Sequence, residues 1–151
     1  MINKIVLFIL LLTTYFVYCN ENNDKIVSLT VIISNIRSDE GNIRVHLYEI
    51  SNQESFPDKS TKANYLKVAN INGGKAIVTF ENLPPSIYAF TVHHDENENV
   101  KMDRNFLGLP IEGWALSNGV KPLFKLPSFR ECSFELQSDK KITVSVNYTI
   151  K

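Results

Sequence analysis

The sequence predicts an all-β sandwich in one domain, and three observations carry that reading. Apolar and polar residues alternate in several short segments, clusters of Gly, Pro, Asn, Asp and Ser separate those segments, and no long stretch has a convincing helical period. Successive side chains of a strand point to opposite faces, so alternation marks a strand with one face buried.

From Ile26 to Asn35, Leu29, Val31 and Ile33 alternate with Ser28, Thr30 and Ile32, which predicts the first strand. Ser38–Asn42 is turn chemistry, because Gly41 and Asn42 tolerate positive φ. Asn42–Glu49 follows with Ile43, Val45 and Leu47 on one face and Arg44, His46 and Tyr48 on the other, so these two strands read as a hairpin. His46 carries no further signal. Phe56-Pro57-Asp58 turns the chain, and Asp58–Val68 is expected as a short helix capped by Asp58 or Ser60.

After Asn72-Gly73-Gly74, the segment Lys75–Glu81 alternates through Ala76, Val78 and Phe80. The Pro-rich turn 82–86 leads into Ile87–His94, with Tyr88, Phe90, Val92 and His94 on one face and Ala89, Thr91 and His93 on the other. Near the end of the chain, Glu131–Gln137 and Lys141–Ile150 are the last two expected strands, joined by the turn Ser138-Asp139-Lys140.

The first residues carry a single charge, Lys4, then the apolar run Ile5–Leu12, and no acidic residue before Glu21. That pattern predicts a secretory signal peptide over residues 1–19, leaving 20–151 as one β-sandwich domain in a secreted or periplasmic protein. The run is short of the roughly 20 apolar residues that span a bilayer, so no stable membrane span is expected after cleavage. Lipidation at Cys19 is an alternative that the bulky Tyr18 opposes. Loss of Lys4 leaves 15 basic residues against 16 acidic ones, a balance that offers no attraction to nucleic acid. Cys132 is then the only cysteine remaining, so no intrachain disulfide is expected, and burial within a strand is its expected fate.

The chemistry concentrates in the stretch His93–Asn118, within which one long Asp/Asn-rich loop is expected over 94–112. Asp95, Asn97, Asn99 and Asp103 fall on a 1, 3, 5, 9 spacing, which a hard cation with oxygen ligands demands of a looped backbone. Lys101 would add its carbonyl and Glu112 a further carboxylate. The EF-hand pattern also asks for Gly after the third donor and Glu at its last position, where this chain has Val100 and Phe106. The expected cofactor is therefore weakly held calcium, with affinity on the order of 10⁻⁴–10⁻³ M as in extracellular modules.

The segment HDENENVKMDRNFLGLPIEGWALSN, with LPPSIYAFTVHHD before it and LPSFRECSFEL after it, resembles the small secreted bacterial proteins grouped as domain of unknown function 2141. The resemblance runs from about Leu29 to Tyr148 and implies an immunoglobulin-like or transthyretin-like β-sandwich without an assigned activity. Positions shared with that family include His94, Asp95, Asn97, Asn99, Lys101, Asp103, Asn105, Gly108, Pro110, Glu112, Gly113, Ser117 and Pro127–Phe129. The family has Gly where this chain has Glu98, Val100 and Ser86. Side chains at those positions oppose positive φ, and hence a tightly wound loop.

The resulting expectation is a binding or accessory module acting on an unidentified protein or carbohydrate, not an enzyme, with Trp114 plugging the loop onto the sandwich rather than forming a sugar platform. One rival is a structural envelope protein in which the loop only packs, its Asp and Asn residues forming Asx-turns. Another is a metal-dependent hydrolase using His94, Asp95 and Glu112. No G-x-S-x-G, H-E-x-x-H or Cys–His pairing supports other hydrolytic chemistry. His93 and His94 should lie on opposite strand faces.

Overall fold

The computed structural model describes residues 25–122 and 125–149, so the expected signal peptide and Cys19 lie outside the described residues. Among the described residues, strands β1 (Val27–Ser34), β2 (Asn42–Glu49), β3 (Tyr65–Ala69), β4 (Ala76–Leu83), β5 (Ser86–Asp95), β6 (Gly113–Leu116), β7 (Phe134–Leu136) and β8 (Lys140–Ser145) build two sheets. One has the order β4-β1-β8 and the other the order β3-β2-β5-β6, with β7 pairing a separate stretch of β5. The fold is an all-β sandwich. No helix of the described residues is long and apolar enough to cross a membrane.

The inward faces are the ones the alternation marks. Leu29, Val31 and Ile33 of β1 and Ala76, Val78 and Phe80 of β4 meet Ile43, Val45 and Leu47 of β2 and Tyr88, Phe90 and Val92 of β5 in one buried cluster. Burial of such aliphatic and aromatic side chains, at about 1.5–3 kcal/mol each, supplies the main force holding the sheets together.

Four sequence expectations are corrected. First, β1 and β2 do not form a hairpin: β1 pairs with β4 antiparallel and β8 parallel, whereas β2 pairs with β3 and β5. The intervening turn crosses from one sheet to the other. Asp39 anchors it by accepting the N–H groups of Gly73 and Gly74, which also hold its carboxyl below the usual range. Gly41, at φ +68°, lies so close to the β5 terminus that an added Cβ would sit 2.0 Å from the Asp95 carbonyl oxygen.

Second, the helix expected over Asp58–Val68 is a single 3₁₀ turn, Ser60–Lys62, followed by β3. An isolated short helix is marginal, while the open edge of β2 offers unpaired backbone groups to Tyr65–Ala69. Third, the expected strand Glu131–Gln137 begins with a helical turn, α1 (Phe129–Cys132), and only Phe134–Leu136 pairs with β5. Ser128 caps α1 by accepting the Glu131 N–H, and Glu131 reaches back to the Ser128 N–H. Cys132 is thus buried on a helical turn rather than a strand, and burial pushes its thiol up to about 12, which makes it a poor nucleophile. Fourth, no strand is expected between the loop 94–112 and Glu131, whereas Gly113–Leu116 returns as β6 against β5. The last strand also ends at Ser145, earlier than expected.

The outer face of the larger sheet is covered too. Tyr48, Ala89 and Leu116 on that face pack with Phe56, Phe129 and Cys132 in a second apolar cluster. Tyr48 meets Phe56 edge-on at 5.3 Å between ring centres, and Phe56 meets Phe129 likewise at 6.0 Å. The segments 50–64, 117–122 and 125–132 therefore roof one end of this sheet, and the loop 96–112 lies at the other.

Candidate functional site

The end of β5 separates its two histidines, as the alternation requires. His94 faces inward and is fully buried. Its Nε2 lies 2.9 Å from the Glu40 carbonyl, an acceptor only, so Nε2 carries the proton and Nδ1 accepts from the Tyr148 hydroxyl at 2.8 Å. That hydroxyl also accepts the Arg37 N–H, and the Arg37 guanidinium stacks 4.6 Å from the Tyr148 ring centre while pairing with Glu96 at 2.6 Å. Gly113 makes room for this packing, since a Cβ there would come within 2.6 Å of the Tyr148 ring.

His93 faces outward, and its Nε2 lies 2.8 Å from Oε2 of Glu112. Buried Glu112 closes the loop: its Oε1 accepts the Glu96 N–H and its Oε2 the Asp103 N–H, each at 3.0 Å. The loop's first and middle residues thus hang on one carboxylate. Ligand atoms of His93, Asp95 and Glu112 lie within 4.8 Å of one another. His94 is turned to the other face, so the grouping of His94 with Asp95 and Glu112 is replaced by one containing His93.

Asp95 is completely buried at the last position of β5. Its Oδ2 accepts the Val100 N–H at 3.0 Å and lies 3.9 Å from Nε of Arg44. Its Oδ1 has no hydrogen-bond partner. The side-chain oxygen of Asn42, directly across from Asp95 in the β2–β5 register, is buried and unpartnered as well, as is Nε of Arg44. Leaving a polar atom in this state costs about 1–3 kcal/mol, more for a charged one, and so calls for an explanation.

The remaining predicted ligands gather on the exposed side of the loop. Asn97 and Asn99 donate their side-chain N–H groups to Asp103 at 2.6 and 3.1 Å, so the three side chains share a centre rather than splaying outward. Their side-chain oxygens accept the N–H groups of Asn99 and Lys101, at 3.0 and 2.7 Å, each forming an Asx-turn. A carbonyl oxygen has two lone pairs, so each keeps one. Lys101 carries its carbonyl on the same turn.

The winding expected to be opposed by Glu98 and Val100 occurs nonetheless: their φ angles are +59° and +69°. Both residues occupy the conformation that glycine adopts at lower cost. Val100 is β-branched, for which positive φ is a true outlier. The surrounding hydrogen bonds, donated by the Val100 N–H to Asp95 and by the Asp103 N–H to Glu112, hold it there.

A strand-delivered acidic loop of this construction, roofing one face of a sandwich, can be set beside known proteins. Residues 31–145 match a family described as uncharacterized proteins conserved in bacteria, domain of unknown function 2141. The chain belongs to this family. No curated protein and no solved structure matches it. The match takes in strands of both sheets and the loop, as the motif resemblance implied.

Sequence reasoning reached Asp95, Asn97, Asn99 and Asp103 through their spacing, Lys101 as a carbonyl donor and Glu112 as a further carboxylate. It missed the pairing of His93 with Glu112 and the orphaned oxygen of Asn42. Neither has a sequence signal without the β2–β5 and β5–β6 registers, which bring residues 42, 95 and 112 to one end of the sheet.

Proposed function

We propose that this is an exported binding module whose loop 95–112 takes a calcium ion, with the Ile5–Leu12 apolar run supporting export. The observation that carries the calcium reading is the state of Asp95. One carboxylate oxygen is fixed by the N–H of the residue at the sharp turn, and the other is buried without a partner. A first-position aspartate of an oxygen-lined calcium loop needs this division, one oxygen to wind the loop and one for the ion. Asn97, Asn99, the Lys101 carbonyl and Asp103 would complete the set. Glu112 serves by holding the loop's backbone, and Asn42 is added as a neighbouring oxygen donor. With few carboxylates to offset the charge and Arg44 close to Asp95, the affinity should be weak, on the order of 10⁻⁴–10⁻³ M.

Calorimetric titration with calcium chloride, together with thermal melting with and without chelator, tests this reading. Bound ion stabilises the fold by mass action, about 1.4 kcal/mol at a tenfold excess over Kd, reached at about 1–10 mM calcium. Saturable heat at millimolar calcium, lost in Asp95→Asn, is the expected result. No shift in melting at that concentration overturns it in favour of a loop that only packs.

A second reading rests on the proximity of His93, Asp95 and Glu112, a nitrogen and two carboxylates suited to zinc. It requires His93 and Glu112 to exchange their mutual hydrogen bond for metal. Zinc binding abolished by His93→Gln, with calcium silent, would select it over calcium.

A further inference from the structure

On the outer face of the five-stranded sheet, between the loop and the roofing segments, lies a pocket of about 550 Å³. This is the size of an ordinary small-molecule site. Its floor is set by the sheet: His46 from β2, Thr91 and His93 from β5, and Trp114 and Leu116 from β6. Met102 and Leu109 of the loop, with Leu126 and Pro127, supply its aliphatic walls.

The floor contains an unanswered polar group. The His46 side chain belongs to a residue only 7% exposed, yet it makes no hydrogen bond among the described residues. Burial, assisted by the charge of Arg44 and by His93, holds its pKa down to about 4, so the ring is neutral near pH 7 with one donor and one acceptor nitrogen. A largely apolar cavity with a few convergent hydrogen-bonding groups, here His46 with Thr91 and His93 beside it, is how small-molecule sites fix orientation. The exposed mouth carries Arg104 and Lys125 against one acid, Asp58, giving it a net positive edge. Arg104 is braced there by donating to the Gly108 carbonyl.

We propose that this pocket binds a small aromatic acid bearing a hydroxyl or amino group. The ring lies against Trp114 and the aliphatic walls, the substituent hydrogen-bonds to His46, and the acidic group meets Arg104 and Lys125 at the mouth. An aromatic body is favoured by Trp114, whose face can stack on a planar ring. An acid is favoured over a sugar because the floor and walls are mainly apolar, with few of the convergent acceptors that polyhydroxylated ligands use. This assignment does not depend on calcium, although the loop contributes a wall.

Trp114 is the single tryptophan of the chain, so its fluorescence reports this site. The purified protein is titrated with anilinonaphthalene sulfonate, reading energy transfer from Trp114, and the dye is then competed with hydroxybenzoate, benzoate and benzyl alcohol. All titrations are run with calcium and again with chelator. Saturable one-site transfer is expected, with hydroxybenzoate displacing dye more effectively than benzoate, and benzoate more effectively than the neutral alcohol. Lys125→Glu, which reverses a charge at the mouth, should weaken the two acids by about tenfold and the alcohol far less. His46→Leu should erase the advantage of hydroxybenzoate over benzoate, also about tenfold. Absence of saturable transfer, or acid binding that ignores both substitutions, overturns the proposal. Binding that persists in chelator supports the pocket even if the calcium reading fails.

Discussion

The two sheets of this sandwich share a core but differ on their outer faces. In the three-stranded sheet, β1 alternates strictly between buried and half-buried positions, and Ile77 of β4 is 63% exposed on the solvent side. In the five-stranded sheet, the outward residues Tyr48, Ala89 and His93 are buried like their inward neighbours. The first sheet is a half-solvated antiparallel type with one parallel partner. The second carries a further layer on its outer face, and there lie the loop, the orphaned Asp95 oxygen and the pocket. A covered sheet face bearing polar residues is thus the informative feature of this molecule, since burying such groups is costly unless something answers them.

The sharpest way to break this comparison is to remove one large side chain from each outer face. Tyr48→Ala should cost about 3–5 kcal/mol in urea unfolding, as for a large aromatic in a packed core, while Ile77→Ala should stay within about 0.5 kcal/mol. Equal costs would mean that the roof over the larger sheet is not a second core. Glu112→Ala comes next, because it strips acceptors from the Glu96 and Asp103 N–H groups and from His93. A loss of about 2–4 kcal/mol is expected, with faster hydrogen exchange at residues 96–103 and little change in β1 or β4.

A third contrast is pH. His46 is held neutral in the folded protein with a pKa near 4, against 6.5 for the free side chain, so the unfolded chain binds more protons between those values. Stability should be complete above pH 6.5 and fall as the pH drops toward 4, by at most about 3 kcal/mol. His46→Leu should flatten that part of the profile in denaturant titrations at several pH values. Among these effects the smallest is Val100→Gly. Relief of the positive φ should stabilise the protein by about 1 kcal/mol and tighten calcium binding several-fold, as read by melting and calorimetry. A destabilised variant would show that Val100 is held by its side-chain packing instead.

Strands β1, β2, β4 and β5 were legible because a half-buried strand writes its environment directly into alternate residues. The spacing of Asp95, Asn97, Asn99 and Asp103 was equally local, and the structure gathers the last three around one carboxylate. The helix expected over Asp58–Val68 shows the limit: its sequence allows a turn of helix, but a sheet edge elsewhere in the chain captures it as β3. The S-x-x-E pattern at Ser128 went unread in the sequence, and in the structure it caps the helical turn α1.

By itself, then, the sequence determined which residues face inward, where turns can form, and which oxygens follow one another along the acidic loop, since all of these depend on neighbours a few positions away. Only the tertiary structure decided that β1 and β2 part into different sheets, and that His93 rather than His94 joins Glu112. The same holds for the second layer that buries His46 and Asp95 on the outer face. Those outcomes depend on strand register and on packing between distant segments, where the competition is settled by total buried area and by which polar groups find partners. No local pattern encodes that sum.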